Sequence, residues 1–453
     1  ELGIDIGRLD VAILAGYPGS VASMFQQGGR AGRSLRRALV VLVARNTPLD
    51  QFVIRNPQWL FESAAEFARI DPDNLVVLVS HIKCALYELP FAEVESFGGE
   101  NLSEILEFLT EAGVAHRRGD SWHWSEDSFP ADAVSLRSAD PENVVIIDKS
   151  DADRVIAETD RISAQRTVHE GAIYMVEGRP YQVDRLDWAQ QKAYVRAVRV
   201  DHYTTAMSYS KVRILNSEVE DQRHGHCRAH GEVHVASRTV GYKKIKLYTA
   251  ENCGFGDVHL PDVEMHTSSL WLALDGDELR QAGYGGVEVV DGLLGLGRVL
   301  RSLAALHLMC DTSDLGMALA DPEEGWVAGL DRSGQRSLEE SSADGTRRLL
   351  DSTELKLERP TLFVYDAIPG GVGFAQKLYG LFDQLLDEAV QQVLRCSCSA
   401  GCPSCVGPLG EVEEGAKATA LDLSRWLLGQ QARPLGPISS AQLARIDLRG
   451  GWL

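Results

Sequence analysis

The sequence predicts a mixed α/β, multidomain chain. Three observations predict it. Two short apolar, β-branched runs flank a helical one at residues 9–44. Strand patterns then dominate residues 143–270, and helical leucine spacing with one buried strand dominates the last part of the chain. At 453 residues, two to four domains are expected, each with its own core. Hydrophobic content of 44% and charged content of 24% are those of ordinary globular protein, and no apolar run approaches a membrane span.

Residues 9–15 and 38–44 read as buried strands around a helix from Val21 to Gln27, with Ser20 as its N-cap. This fits the closing unit of a parallel α/β lobe, ending at Asn46-Thr47-Pro48. A helical connector spans 48–72, before helices at 75–88 and 102–112. A Gly-Asp turn at 119–120 joins two strands into a hairpin carrying Trp122 and Trp124. Helices followed by a small hairpin describe a winged helix. Arg117 and Arg118 could touch DNA from the wing, or the tryptophans could be core and the arginines solvated. A Ser/Asp-rich linker at 125–142 leads into a β-rich region read as a barrel or strongly curved sheet. Its candidate strands are 144–147, 172–176, 181–183, 193–200, 232–240 and 243–249. His224 to His230 is rich in imidazole and thiol, but its ligands are too crowded for one tetrahedral site and it reads as a solvated loop. Lys244 and Lys246 share a strand face that suits either phosphate contacts or protection of a sheet edge.

In the tail, Gly292 to Met309 reads as a core helix, 320–358 as polar loops, and Thr361 to Asp366 as a buried strand. The turn Ile368 to Phe374 feeds an amphipathic helix over 374–393 and could hold an anion or simply bend tightly. Asp366 with Asp311 and Asp314 lacks the rest of a nuclease constellation. The expected domains are therefore 1–47, 48–130, 131–270 and 271–453.

The net charge is −20, yet residues 1–50 carry +2 and 151–250 carry +3. A generally DNA-coating protein is disfavoured, and nucleic acid would meet local basic faces. Four of the eight cysteines crowd into Cys396, Cys398, Cys402 and Cys405. They are too close in sequence to pair well as disulfides and can close a tetrahedral zinc shell, with an iron–sulfur cluster as the rival. A site of four thiolates is structural, and it points to a reducing, cytoplasmic setting. The other four cysteines, Cys84, Cys227, Cys253 and Cys310, read as packing residues.

Gln26-Gln27-Gly28-Gly29-Arg30-Ala31-Gly32-Arg33 sets two arginines in a glycine-rich turn, the arrangement that phosphoryl transfer asks of arginine fingers. With Glu1 to Gly7 upstream, it resembles motifs V and VI of superfamily 2 helicases, and residues 1–45 look like the end of a second RecA-like lobe. The resemblance implies that Gln26 opens motif VI and that Arg30 and Arg33 meet the γ-phosphate. It also implies that Asp5 links the nucleotide to the nucleic-acid side and that Gly3 presents backbone to phosphates. Gln27 stands where many relatives have Arg. The sequence holds no G-x-x-x-x-G-K-[ST] loop, so a fragment of a longer helicase is expected, inactive as an ATPase alone.

Asp366, Gly370-Gly371 and the Gly-Cys-Pro-Ser-Cys tail narrow the resemblance to mitomycin repair factor A-like helicases. Further matching stretches are His81 to Ala85, Glu170 to Tyr174, and Glu232 through Tyr242. This resemblance implies a structural Zn2+, ATP and Mg2+ in the full-length enzyme, and single-stranded or 3′-tailed DNA as partner. It further implies 3′–5′ translocation and a place in DNA repair. A non-catalytic module that recruits repair proteins is the reading from another class.

Overall fold

The computed structural model describes residues 9–32, 37–64, 66, 71, 73–99, 101–134, 143–223, 225–249, 251–330, 336–341, 347–350, 355–407 and 412–429. The chain opens with β1 (Val11–Ala15), α1 (Val21–Gly28) and β2 (Leu39–Val43). β1 and β2 are parallel, paired from Val11–Leu39 to Ala15–Val43. Ser20 caps α1, its Oγ accepting the Ser23 N–H at 3.0 Å. α2 (Pro48–Arg55) and α3 (Pro57–Glu62) form the connector. Pro48 opens α2 where no N–H is needed, and Thr47 Oγ1 accepts from the Asp50 N–H at 3.3 Å. The fully buried Asp50 carboxylate accepts the N–H groups of Tyr17 at 3.1 Å and Arg45 at 2.7 Å. One acid thus ties the segments after β1 and after β2 to the connector.

α4 (Leu75–Glu88), β3 (Phe91–Ala92), α5 (Leu102–Glu111), β4 (Ala115–Arg118) and β5 (Ser121–Trp124) form the expected helices and wing, in sheet order β3-β5-β4. Leu78, Ile82 and Leu86 recur every four residues along α4 and meet Leu106, Leu109 and Trp122 in one core. Trp122 is only 2% exposed, so of the two readings of the wing tryptophans, packing holds for Trp122.

Of the two forms expected for the β-rich region, barrel or curved sheet, the closed barrel is not the one found. β6 (Asn143–Asp148), β7 (Arg154–Asp160), β8 (Ile173–Val176), β9 (Arg179–Asp187) and β10 (Lys192–Ala197) make a sheet of order β7-β6-β10-β9-β8, with α6 (Arg161–Thr167) beside it. Its end strands β7 and β8 do not pair with each other, so the sheet stays open. β11 (His202–Arg223) and β12 (His226–Lys246) then form one antiparallel hairpin with strands of 22 and 21 residues. The sequence pattern broke this into short pieces and missed β11. The ladder has register shifts near Met207, Ile214 and Ser217, which interrupt the period-2 alternation that reveals a strand.

β13 (Asn252–Asp257) pairs with β12, and β14 (Val263–Leu274) continues the sheet across residue 270. After α7 (Gly276–Gln281) and α8 (Gly286–Leu308) come β15 (Leu315–Asp321), β16 (Trp326–Leu330), β17 (Arg336–Ser341), β18 (Arg347–Leu350) and β19 (Thr361–Asp366). The order β11-β12-β14-β19-β15-β16-β17-β18 makes the β-rich and tail segments share one nine-stranded sheet. The stretch 320–358, expected as loops, supplies strands. Buried Trp326 and Leu338 anchor them despite acidic neighbours, and Trp326 Nε1 donates to the Lys356 carbonyl at 2.9 Å. α9 (Phe374–Leu394) and α10 (Ala416–Leu427) complete the chain. α8 is buried almost all round. A Cβ on Gly292 would meet Thr419 of α10 at 2.8 Å, and one on Gly297 would meet Leu362 of β19 at 2.7 Å. The glycines let α10 and the sheet close on α8.

Candidate metal centre and arginine turn

Cys396 follows the end of α9, and Cys402 and Cys405 form a tight knuckle closed by Cys405 N–H to Cys402 carbonyl at 3.0 Å. The four Sγ atoms converge. Cys396–Cys402 and Cys398–Cys405 are 3.4 Å apart, Cys396–Cys398 3.5 Å and Cys402–Cys405 3.7 Å. A zinc–sulfur bond of about 2.3 Å makes each edge of a tetrahedron about 3.8 Å, so one zinc ion fits this set. An iron–sulfur cluster would set the cysteines around several irons rather than aim them at one point. A zinc ion held by all four thiolates would have no open position, the arrangement of a structural rather than a catalytic site.

Burial opposes ionisation at Cys396, but the Cys398 N–H and the neighbouring thiols bring it down to about 7. Burial pushes Cys398 up to about 11 and Cys405 higher still. Such a group of thiols reaches its fully ionised state only with a cation at its centre, so metal uptake releases protons. Lys417, 3% exposed on α10, donates from Nζ to the carbonyls of Cys396 and Cys398. Sequence reasoning missed it. Its signal is a lone lysine in the small-residue run Gly415-Ala416-Lys417-Ala418.

The metal loop is bonded to the end of the α/β unit. Ser404 Oγ donates to Asn46 Oδ1, and Gln392 Nε2 donates to the carbonyls of Pro48 at 3.3 Å and Ser404 at 3.5 Å.

At the other candidate site, Gln26 is exposed near the end of α1, and Arg30 is half-buried in the turn after it. The Arg30 N–H reaches the Gln27 carbonyl at 3.3 Å, and Ala31 bridges to Leu9 beside β1. Gly3, Asp5 and Arg33 lie outside the described residues. The wing arginines are exposed. Arg117 pairs with Glu93 at 2.7 Å and lies over the Trp122 ring. Lys244 and Lys246 share a face of β12, with Lys246 paired to Glu251 at 3.3 Å. Edge protection is ruled out for this stretch of β12, because it runs between β11 and β13. These clusters lie on separate elements and form no single site.

Two further expectations are corrected. The segment 226–230 is strand rather than solvated loop, with His226, Cys227, Arg228 and His230 all buried. Arg228 lies over the Tyr379 ring and pairs with Asp383, so α9 covers what composition alone had left to solvent. Cys253 is exposed and is not a packing residue.

The glycine turn before α9 already holds an anion of its own. Asp366 Oδ2 accepts the N–H of Val372 at 2.7 Å and of Phe374 at 3.3 Å. Gly370 and Gly371 both take positive φ there, at 79° and 73°. Asn74, the cap of α4, reaches across to donate to the Gly371 carbonyl at 2.6 Å. Burial raises the Asp366 carboxyl to about 6 against those N–H bonds. Asp311 and Asp314 instead close their own short turn, so the three acids make no metal site.

Comparison with known proteins matches this geometry. A family model described as the MrfA Zn-binding domain covers residues 296–406, and one for the winged helix domain of ATP-dependent helicase HRQ1 covers 70–139. The chain is 41% identical over 420 residues to the uncharacterized ATP-dependent helicase YprA of Bacillus subtilis, covering 92% of this chain and 51% of that protein. It is 25% identical over 428 residues to HRQ1 of Saccharomyces cerevisiae, covering 90% of this chain and 36% of that one. A crystal structure of the DUF1998 helicase MrfA bound to DNA matches with a TM-score of 0.54 at 40% identity, covering 94% of this chain and 52% of the other. No helix among the described residues is long and apolar enough to cross a membrane. The chain is thus similar to the MrfA-like helicases, and it spans about half the length of YprA and MrfA and about a third of HRQ1.

Proposed function

We propose that this chain is the C-terminal part of an ATP-dependent DNA helicase that moves 3′ to 5′ on single-stranded or 3′-tailed DNA in repair. The observation that carries this reading is the arginine turn at the end of α1, set within a parallel β1–α1–β2 unit. In the longer protein, ATP and Mg2+ lie between a first lobe and this unit. Arg30 and Arg33 place guanidinium charge at the γ-phosphate as negative charge builds there. Gln26 orients the nucleotide end of the turn. Asp5 couples nucleotide state to the DNA side, and Gly3 meets a phosphate through backbone. These residues hold no phosphate-cradling loop, so the chain by itself is not an ATPase.

The tail receives motion from that unit. Asn46 and Pro48 follow β2 directly and bond to Ser404 and Gln392, so a shift of the lobe pulls on the metal loop. A closed zinc shell keeps that loop stiff enough to pass the shift to α9 and the sheet. The wing residues Arg117 and Arg118, with Lys244 and Lys246 on the sheet, steer the strand on an otherwise acidic body.

The test is Arg30→Ala and Arg33→Ala in a longer chain carrying both lobes. DNA-stimulated ATPase should fall by about 10³–10⁵, the effect of an arginine finger in related NTPases, with DNA binding retained. Unchanged ATPase in both variants would sink the reading.

A further inference from the structure

A cavity of about 550 Å³ lies where the segment after β2, α8, the sheet and the metal loop meet. Its size falls in the range of small-ligand sites, about 300–1,000 Å³. Among the described residues lining it are Arg45, Arg298 and Arg301, and no carboxylate. In a chain of net charge −20 these three side chains put positive groups on the cavity wall, Arg45 with its charge offset by Asp50, and positive groups on a cavity wall favour anions.

Two of the guanidinium groups are held in place. Arg301 spends Nε and Nη2 on the Thr312 carbonyl at 3.3 and 3.0 Å. Arg45 is fixed by Asp50 and by the Tyr17 carbonyl. Burial pulls the Arg301 guanidinium below its ordinary value, with Arg166 and Arg298 adding to the shift and Tyr365 and Asp311 opposing it. The remaining wall mixes apolar surface, including Leu294, Met317 and Val406, with the hydroxyl-bearing Ser302. Cationic and apolar surface in one cavity fits a ligand with an anionic end and an apolar body.

We propose that this cavity binds a nucleotide unit, its phosphate on the arginines and its base against the apolar wall. The choice of ligand rests on the nucleic-acid reading above. A free mononucleotide and one unit of a DNA strand share this chemistry. The cavity touches both the segment after β2 and the metal loop, so an occupant would bridge the two parts joined by the Ser404–Asn46 bond.

The test is titration calorimetry of the zinc-loaded chain at low salt with two probes, 5′-dAMP and a short single-stranded oligodeoxyadenylate. Two variants are compared, Arg298→Gln and Ser302→Glu. Among the described residues Ser302 bonds through its hydroxyl only to the helix carbonyl of Arg298, so glutamate there adds charge to the cavity with little cost to the helix. Zinc content and circular dichroism verify the fold of each variant. We expect each variant to weaken whichever probe binds by at least about tenfold, the size of one lost charged contact. Binding of 5′-dAMP identifies a free nucleotide as sufficient, and binding of the oligonucleotide alone identifies the strand. Wild-type affinity for the oligonucleotide in both variants would overturn the cavity as the site and leave the nucleic-acid reading standing. Failure of both probes to bind the wild-type chain would overturn the cavity and count against DNA binding by these domains.

Discussion

Lys417 Nζ donates to the carbonyl of Cys398 at 2.6 Å, reaching from inside α10 to the backbone of the metal loop. A second bond, to the Cys396 carbonyl at 2.7 Å, fixes the loop at two of its four ligands. Four thiolates around one Zn2+ leave two net negative charges, and a buried ammonium beside them offsets part of that charge. Lys417→Met keeps the stem and removes the charge. It should weaken zinc retention by about 10–100-fold, as loss of an outer-shell partner does. Competition against a chromophoric chelator reads this directly, and wild-type retention would refute the role.

Elemental analysis should return about one zinc per chain. Cys405→Ser should abolish stoichiometric binding. Stripping the metal should loosen α9 and α10 first, because Cys396 and Cys405 lie within the core those helices share. Hydrogen exchange would reveal this, with the winged helix, which has its own core, unchanged. Iron with visible absorbance would overturn the zinc assignment.

Asp366 gives the fold a pH signature. Burial raises its carboxyl to about 6 in the folded chain, against about 3.9 when unfolded. Below about pH 4 both states are protonated. As pH rises through 4 to 6 the unfolded chain ionises first, so stability falls by about 3 kcal/mol and then levels off. Asp366→Asn keeps an oxygen to accept from Val372 and Phe374 and removes the titration. It should match wild type near pH 4 and exceed it at pH 7 in denaturant melts. A variant that tracks wild type across that range would disprove this account.

The wing separates packing from contact. Trp122→Ala should cost about 3–5 kcal/mol, the range for a buried aromatic cut to alanine, and unfold the winged helix. Arg118→Ala should leave stability within about 0.5 kcal/mol. If the wing meets DNA, it should lower the salt slope of binding by about one. An unchanged slope would assign Arg118 to solvent.

Local signals make much of this chain legible in its sequence. Ser20, Thr47-Pro48 and the four-residue repeat of α4 are decided within a few residues of themselves, by capping groups and by the period of the helix. The cysteine tetrad is equally local, since its four donors come from ten residues. Sheet partnership is not local. Nothing near β14 says that it lies between β12 and β19, because a strand's alternation shows which face is buried and not which strand lies alongside.

The sequence by itself determined the helices of the winged domain, the metal donors and the order of the β1–α1–β2 unit, whose strands are mostly exposed rather than buried as their apolar runs suggest. The tertiary structure decided that two expected domains share a sheet, that His226 to His230 lie under α9, and that Asp366 fills the glycine turn. It also decided that Lys417 and Ser404 tie the metal loop to α10 and to the end of the β1–α1–β2 unit. The physical reason is range. Caps, turns and clustered ligands act between neighbours in sequence, whereas burial, strand pairing and charge compensation depend on residues up to 358 positions apart.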